Sequence, residues 1–307
     1  MDLKDPMILR SALESLRSGV YITDREGTIL LWSDGAEHIT GHLRHEIVGR
    51  RCVDMLADCG SEGNQLCHDL CPLKDSMHDG KAHEKHVYMR HKLGHRVPVI
   101  VHAVPVRDAH GLIIGAAESF DLRQSLPRED QRQNALAAFG CLDAGTGFPH
   151  QGLTHTRLRE SLETFHEHHL PFGILCVTIE KFEDFSKQHS RDAAEAALRA
   201  VGRSIRNALR PEDFLGRWSE EQFLVILANC PAIFLEKVAI RILGITRSAA
   251  IQWWGDWVPI PASLGHAAVE AGDTMDSLVG RAQDSLVQGG LLKALQAVSS
   301  AAAGSGS

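Results

Sequence analysis

The chain has 307 residues, of which 44% are hydrophobic and 23% charged, and its formal net charge is −7. Its length predicts about two domains, and its composition is that of an ordinary globular protein. The acidic balance without a basic block argues against a nucleic-acid surface, and no apolar run reaches the ~20 residues that a membrane span needs.

The first third of the chain is rich in short β-strand patterns. Residues 19–33 read as strand, turn and strand, with the turn at residues 25–27. A helical pattern and a cysteine-rich loop follow, and three further strands lie between residues 83 and 122, separated by turns at Leu93-Gly94 and His110-Gly111. We therefore expect five antiparallel strands with short helices inserted between the second and the third.

A polar stretch at 124–140 contains one proline and a helix-compatible run, which predicts a connector helix between two domains. Beyond it, helical and extended patterns alternate, as is typical of a sheet covered by helices. Helices are predicted at about 153–168, 191–209, 232–249 and 273–288, with strands at about 173–182, at a hairpin over 216–227, and at 259–269. The low-complexity residues 293–307 are predicted to be a disordered tail.

The first third resembles a PAS domain in the order and spacing of its residues. The matching residues are Trp32, Gly35-Ala36-Glu37, Thr40-Gly41, Glu46-Ile47 and Gly49, together with the late segments "RHKLGHRVPV" and "GLIIGAAESFDL". The resemblance implies that residues 1–123 form a sensory or dimerising module with a five-stranded antiparallel sheet. It also implies a small-molecule pocket between that sheet and the helices.

Residues 141–292 resemble a GGDEF domain, the diguanylate cyclase family. The segments "DAGTGFPH", "VTIEKFEDFSKQHSRDAAEAAL", "GRWSEEQF", "SLGHAAV" and "RAQDSL" occur in the family's order. The resemblance implies an α/β fold with a mixed sheet covered by helices, giving the whole chain an α+β and α/β character. In the family, two such domains face each other and condense two GTP into cyclic di-GMP, with Mg²⁺ neutralising the triphosphate.

The family's two acidic metal positions differ here in their chemistry. The position at the end of the first strand is Thr178, whose hydroxyl is a poor substitute for a carboxylate. The acid of the hairpin is kept as Glu221, which Gln222 follows. Glu180, two residues after Thr178, is the other candidate metal ligand. One of two side-chain ligands is therefore predicted to be lost.

The other positions that the family uses for nucleotide also differ. Ser219 and Glu220 replace two glycines at the hairpin tip, and each adds a Cβ where nucleotide would lie against bare backbone. The guanine-recognition positions carry Ser186 and Glu195. Two phosphate-binding lysine positions carry Glu183 and Gly290. These differences together predict a degenerate active site.

One family feature is kept just before the hairpin. "RPED", Arg210 to Asp213, lies at the spacing of the RxxD inhibitory site, where the family binds cyclic di-GMP through the arginine and the aspartate. Arginine suits bidentate recognition of phosphate or guanine. The alternative is that Arg210 caps the preceding helix and that Asp213 is a loop residue.

Four cysteines lie within twenty residues of the first domain, at Cys52, Cys59, Cys67 and Cys71. Four thiolates could hold zinc or an iron–sulfur cluster, or two of them could form a redox pair. Their spacing lacks the CxxC pairs of such sites, so the alternative is that they are small apolar fillers.

Five histidines follow in the same domain, and one of them could ligate haem iron, as in some PAS sensors. They are His78, His83, His86, His91 and His95. On strand periodicity, His86 and His95 are expected to point outward or into turns.

The sequence therefore predicts a bacterial-type PAS–GGDEF signalling protein whose second domain binds cyclic di-GMP or another nucleotide, or regulates a protein partner, without ordinary cyclase turnover. A residual diguanylate cyclase, with Glu221 and Glu180 holding Mg²⁺, and a dimerisation scaffold that binds no nucleotide are the alternatives. We expect a homodimer, and a cytoplasmic location because the N-terminus lacks the apolar core of a signal peptide.

Overall fold

The computed structural model describes residues 6–67, 70–123 and 136–287. Contacts within the chain divide it into two units, with the boundary between residues 125 and 126. Most of the connector predicted at 124–140 and the whole of the tail predicted at 293–307 lie outside the described residues.

The first unit is a five-stranded sheet in the order β2-β1-β5-β4-β3, with every neighbouring pair antiparallel. Its elements are α1 (Pro6–Glu14), β1 (Gly19–Asp24), β2 (Ile29–Trp32), α2 (Asp34–Thr40), α3 (Arg44–Ile47), α4 (Cys52–Met55), α5 (Pro72–Asp79), β3 (His83–Arg90), β4 (Arg96–Arg107) and β5 (Ile113–Leu122). The prediction of five antiparallel strands with helices inserted after the second is confirmed.

The core of the first unit lies on one face of this sheet. The rings of Tyr21, Trp32 and Phe120 are almost fully buried and pack together with centroid distances of 5.6 to 6.3 Å. The indole Nε1 of Trp32 donates to the carbonyl of His42 at 3.0 Å, so the buried polar atom of this ring has a partner. The aromatic cluster therefore packs β1 and β2 against β5, the last strand of this unit.

Helix α2 shows why these short helices begin and end where they do. The hydroxyl of Ser33 accepts from the backbone N–H of Ala36 at 3.1 Å, which caps the first turn. Gly41 ends the helix with φ of 73°, a left-handed conformation that glycine adopts without steric cost.

The second unit is a four-stranded sheet in the order β11-β6-β8-β7, and its three pairings are antiparallel. Its elements are α6 (Gln151–His168), β6 (Gly173–Ile179), α7 (Phe182–His189), α8 (Arg191–Ala208), β7 (Phe214–Arg217), β8 (Gln222–Leu227), α9 (Ala232–Arg247), β9 (Ala250–Trp253), β10 (Asp256–Pro259), β11 (Ala262–Ala268) and α10 (Met275–Val287). The predicted helix-covered sheet is confirmed, whereas the separate β9–β10 hairpin was not expected.

Helix α8 covers the sheet with a face of small and branched residues. Ala193, Ala197, Val201 and Ile205 recur at intervals of four along it, and all are buried. Gly202 lies on the same helix where the Phe148 ring packs, and an added Cβ there would overlap that ring. Phe148 cannot easily move away, since it is 5% exposed and packs edge-on against Phe223 at 5.5 Å.

Two helical glycines of the second unit provide a matched test of this packing. Gly202→Ala is expected to destabilise the unit by about 1–3 kcal/mol, because the new methyl group overpacks the core. Gly280→Ala on α10 meets nothing within 4 Å and is expected to be neutral or to stabilise by up to ~1 kcal/mol, the difference in helix propensity. Urea unfolding of both variants measures the difference. Equal midpoints for the two would contradict the proposed packing of Phe148 on α8.

Candidate functional site

The second unit has an open pocket with a volume of about 610 Å³. Four segments form its wall: the turn that precedes α6, the helix α7, the first turns of α8, and the tip between β7 and β8. Ser186, Glu195, Ser219 and Glu220 all line it, so the structure brings the predicted base-recognition positions and the hairpin tip together around one cavity.

Two residues in the left-handed region reverse the chain around α7. Lys181, just before the helix, has φ of 51°, and Ser190, just after it, has φ of 104°. Such conformations cost non-glycine residues about 1–2 kcal/mol each. The hydroxyl of Ser190 also caps α8 by accepting from the N–H of Ala193 at 3.3 Å. These turns bring Ser186 of α7 and Glu195 of α8 to the same side of the pocket.

The turn before α6 is held by a carboxylate. Asp143 Oδ1 accepts from the backbone N–H of Thr146 at 2.9 Å and from its hydroxyl at 2.5 Å. Arg199 of α8 donates to the carbonyl of Gly145 at 2.8 Å, which ties this turn to the helix. The turn is therefore a rigid part of the wall.

The hairpin tip forms without left-handed backbone at the two positions where the family has glycine. Ser219 and Glu220 are not among the positive-φ residues, and their side chains are exposed. The N–H groups of Trp218 and Ser219 both donate to the carbonyl of Gln222, at 2.8 and 3.2 Å. The added side chains therefore crowd the pocket without straining the turn.

The predicted metal positions Thr178, Glu180 and Glu221 lie outside this lining, and Thr178 belongs to a neutral chain of hydrogen bonds. Gln222 Nε2 donates to Thr178 Oγ1 at 2.8 Å, and Gln283 Nε2 donates to Gln222 Oε1 at 3.3 Å. We call these three residues the amide–hydroxyl chain. It links β6, β8 and α10 with uncharged groups where the family has a carboxylate at the first position.

The remaining acids near this chain are not grouped for a divalent ion. Strand β6 ends at Ile179, and Glu180 beyond it accepts from Arg247 Nη2 at 3.3 Å. Glu221 is exposed at the hairpin. Within residues 6–67, 70–123 and 136–287, no three histidine, cysteine, aspartate or glutamate side chains are placed to hold a metal ion. With a neutral hydroxyl at Thr178 in place of a carboxylate, the residues present do not supply the two acidic ligands that the family uses for Mg²⁺.

Two of the acids on the pocket wall, Glu183 and Glu195, are paired with basic side chains. Glu195 lies 3.6 Å from Arg191 and 3.7 Å from Arg199, and Glu183 lies 3.5 Å from Lys187. These are exposed ion pairs, which contribute little to stability and can be exchanged for a ligand. The other lysine position of the family, Gly290, lies outside the described residues.

Arg217 also lines the pocket, and sequence reasoning did not single it out. It is the last residue of β7 and only 7% exposed. Its Nη2 donates to the carbonyl of Glu220, and its guanidinium lies 4.9 Å from the centroid of the Phe223 ring. Its Nη1 is buried and has no hydrogen-bond partner. The usable signal in the sequence was a lone arginine between a strand and an acidic turn.

The RxxD residues form a tight turn in the structure. Asp213 is 5% exposed, and its two oxygens accept from the backbone N–H groups of Arg210 at 3.0 Å and Ala228 at 3.2 Å. Burial raises the pKa of Asp213, while these two N–H groups lower it. Arg210 is exposed. A cyclic di-GMP site at Arg210 and Asp213 stays a prediction, and Asp213 has a structural role in addition.

The four cysteines of the first unit are free thiols. Cys59 and Cys71 are buried, and Cys52 and Cys67 are half-buried. Burial raises the pKa of Cys52 to about 12 and raises that of Cys67 further, so these sulfurs are protonated at neutral pH. Among the described residues, these cysteines form no group of three metal-ligating side chains that could hold an ion. His68, next to Cys67, lies outside those residues. A redox pair or metal cluster stays a prediction.

The histidines proposed for haem differ in their surroundings. His86 is exposed on β3, as expected. His95 lies at the end of the turn between β3 and β4, where it is 9% exposed and stacks on His91 with a centroid distance of 4.3 Å. His83 Nε2 lies 3.0 Å from Asp79 Oδ2, within hydrogen-bonding distance. Haem ligation by any of them stays a prediction.

An acidic side chain lies inside the core of the first unit. Glu118 of β5 is 1% exposed and accepts from the Tyr21 hydroxyl at 3.0 Å. Burial, followed by the charge of Asp58, raises the pKa of Glu118 well above its ordinary value. The Tyr21 hydrogen bond opposes this shift but does not cancel it. The folded protein therefore holds this proton more tightly than the unfolded chain does.

Family models match both units. A PAS domain model matches residues 17–122, and the model described as "Diguanylate cyclase, GGDEF domain" matches residues 141–291. The chain is thus a two-module signalling protein with a sensory-type domain ahead of a nucleotide-cyclase-type domain. It carries a PAS domain followed by a GGDEF domain of the diguanylate cyclase family.

Two curated relatives that are named as a diguanylate cyclase and a probable diguanylate cyclase are longer than this chain. Diguanylate cyclase DgcP of Pseudomonas aeruginosa is 26% identical over 161 residues, which cover 52% of this chain and 23% of the relative. Probable diguanylate cyclase DgcE of Escherichia coli is 21% identical over 262 residues, covering 85% of this chain and 23% of the relative. The chain thus spans about a quarter of the length of these relatives.

Solved structures of the GGDEF family are also similar. The diguanylate cyclase SiaD of P. aeruginosa in complex with its activator SiaC gives a TM-score of 0.47 at 24% identity, covering 52% of this chain and 63% of that one. The GGDEF domain of DgcB from Caulobacter crescentus in complex with c-di-GMP gives 0.45 at 18%, covering 48% and 89%. Across the described part of the chain, no helix is long and apolar enough to cross a membrane.

The raised pKa of Glu118 predicts a pH-dependent stability of the first unit. Because the folded pKa is raised, stability is fully present below the unfolded pKa of about 4.5 and is lost as pH rises towards the folded pKa, at most about 1.4 kcal/mol per pH unit. Glu118→Gln removes this slope and keeps an acceptor for Tyr21. The stability of the variant relative to that of the wild type should therefore increase as pH rises from 4.5 to 8.

Hydrogen exchange of β1 and β5 amides in the full chain measures this gain, with the two proteins compared at each pH. Glu26→Gln, at an exposed turn position, is the matched control and should follow the wild type. If Glu118→Gln and the wild type keep the same difference in protection at every pH, Glu118 is not protonated in the fold.

Proposed function

We propose that this chain is a PAS–GGDEF signalling protein whose GGDEF domain binds nucleotide or cyclic di-GMP and acts on a partner, without ordinary cyclase turnover. The observation that carries the proposal is the amide–hydroxyl chain of Thr178, Gln222 and Gln283. It puts hydrogen-bonded neutral groups where cyclase chemistry needs a carboxylate for a divalent ion.

Cyclase turnover depends on charge neutralisation at the triphosphate. Attack of a 3'-hydroxyl on an α-phosphate builds up negative charge, which divalent ions normally stabilise while a protein carboxylate holds the ion. Here Thr178 already accepts a hydrogen bond from Gln222, and Glu180 is paired with Arg247. Only Glu221 offers an exposed carboxylate at the metal positions. Loss of the metal is therefore expected to slow chemistry far more than it weakens binding.

Binding is supported by the cavity and its polar wall. A volume of about 610 Å³ lies within the range of pockets for small ligands. The Glu195 carboxylate can accept from the Watson–Crick donors of guanine, and Ser186 offers a hydroxyl beside it. Lys187, Arg191 and Arg217 on the same wall are cations for phosphate.

The biological setting follows from the two modules. A signal received by the PAS domain would change the nucleotide or partner affinity of the GGDEF domain through the connector, and a homodimer in the cytoplasm is the expected state. Arg210 and Asp213 are the candidate second site for cyclic di-GMP. The similarity to the diguanylate cyclase DgcP and the probable diguanylate cyclase DgcE supports residual diguanylate cyclase activity as the alternative.

One sample can separate these functions. We expect the purified chain to bind GTP, GDP or cyclic di-GMP in a calorimetric titration, and to form no cyclic di-GMP from GTP with Mg²⁺ or Mn²⁺ when the products are separated by chromatography. A cyclase with both metal carboxylates, assayed in parallel, controls for the assay. Arg210→Ala should weaken cyclic di-GMP binding alone, whereas Arg159→Ala, an exposed arginine elsewhere on the domain, should change nothing.

Two results would contradict the proposal in different ways. Metal-dependent formation of cyclic di-GMP would identify a residual cyclase. Flat titrations with all three nucleotides would leave a dimerisation scaffold as the function. If Arg210→Ala has no effect while cyclic di-GMP still binds, the RxxD turn is structural and the ligand occupies the pocket.

A further inference from the structure

Resting on the proposed nucleotide binding, we infer that the pocket of the second unit takes a nucleotide with few phosphate charges without any divalent metal ion, and that Arg217 provides the cationic contact for its phosphate. Three independent features of the described residues support this assignment. They are the state of the metal positions, the charge balance of the pocket wall, and the partners of Arg217.

Thr178, the first of the family's metal positions, is occupied by a hydrogen bond from a neighbouring amide. Gln222 is 9% exposed, and its amide both donates to Thr178 and accepts from Gln283. A metal ion at Thr178 would need this amide to rotate away, and it would gain only a neutral hydroxyl. Neutral amides and hydroxyls satisfy each other here, so the fold gains nothing from a cation at this place.

The charge of the wall sets the class of ligand. Four carboxylates line the pocket, from Asp143, Glu183, Glu195 and Glu220, together with three cationic side chains, from Lys187, Arg191 and Arg217. A triphosphate without its metal ion would carry about four negative charges towards a wall that is already slightly acidic. A mono- or diphosphate, or a cyclic dinucleotide with two singly charged phosphodiesters, meets less repulsion.

Arg217 is a cation of the pocket wall with one guanidinium nitrogen, Nη1, that has no hydrogen-bond partner. It is 7% exposed, and while its Nη2 donates to the Glu220 carbonyl, its Nη1 is buried with no hydrogen-bond partner. Buried guanidinium N–H groups are normally paired, most often with carboxylate or phosphate oxygen. Asp143 and Glu220 act on Arg217 electrostatically, and neither forms an ion pair with it among the contacts of the described residues. A ligand phosphate would complete its set of partners.

Stacking on Phe223 prevents Arg217 from turning out to solvent. The guanidinium carbon lies 4.9 Å from the centroid of this fully buried ring. The cation is therefore held next to the hairpin tip before any ligand arrives, and little side-chain entropy is lost on binding. Lys187 and Arg191 are exposed and paired with acids, so they are weaker candidates than Arg217 for the contact with phosphate.

The test titrates the full chain with GDP, GMP and GTP, once in buffer with EDTA and once with Mg²⁺ in excess. We expect GDP and GMP to bind with the same Kd in both buffers, within about twofold, and GTP to bind more weakly than GDP in EDTA. Arg217→Gln should weaken GDP binding roughly tenfold or more in either buffer, the size expected for a lost charge-assisted hydrogen bond. Arg159→Gln removes the same charge outside the pocket and is the matched control.

Each other outcome has one meaning. Binding of GDP that needs Mg²⁺ would overturn the metal-free assignment and leave the proposed nucleotide binding intact, whereas no binding in either buffer would overturn both. Full affinity in a folded Arg217→Gln variant would overturn the role of Arg217. If that variant does not fold, Arg217→Lys, which keeps the charge but loses the planar fork, replaces it. Unchanged GDP affinity in a folded Arg217→Lys variant would then overturn the guanidinium contact.

Discussion

The hydrogen bond from the Gln222 amide to the Thr178 hydroxyl is the contact on which the character of the second domain depends. It joins the two central strands, β6 and β8, at the point where the chain turns into the hairpin tip. Gln283 extends the same chain to α10, so three elements meet through uncharged groups. Two carboxylates in these places would repel each other unless a cation lay between them. The neutral pair of Thr178 and Gln222 needs no cation, because the two side chains hydrogen-bond to each other.

The first domain differs, because it keeps a titratable carboxyl in its core where the second domain has neutral amides and a hydroxyl. Glu118 keeps a titratable carboxyl in the core, where it accepts a hydrogen bond from the Tyr21 hydroxyl. An ionised carboxylate there would be costly, so the group is held neutral by burial rather than by pairing. Nearby thiols are likewise kept protonated. The mostly apolar inner face of this sheet therefore holds the Glu118 carboxyl in its neutral form.

The fold was predictable from the sequence wherever local pattern decides structure. The five strands of the first domain and the long helices of the second follow from alternation and from apolar spacing. The β9–β10 hairpin was missed because "QWWGDW" offers no alternation, and its tip residue Trp254 is 92% exposed at φ of 52°. The partners of Gln222 were also beyond reach, since Thr178 is 44 residues and Gln283 is 61 residues away in the chain. The sequence shows which residue types stand at the family's positions. It does not show the contacts that these residues make with distant parts of the chain.

The same limit explains why the sequence and the structure point to different residues for the candidate site. Sequence reasoning assigned chemistry to Glu221 and Glu180, and neither lines the pocket. Arg217 was overlooked because an arginine at the end of a strand is usually a solvated residue. Only its burial against Phe223, and the absence of a partner for its Nη1, distinguish it. Thr178 brings a neutral hydroxyl to a position where the family has a carboxylate, and the nucleotide binding that we propose would still need a positive charge for phosphate. Arg217 lies beside the hairpin tip with that charge, which is why the proposal assigns the phosphate contact to it.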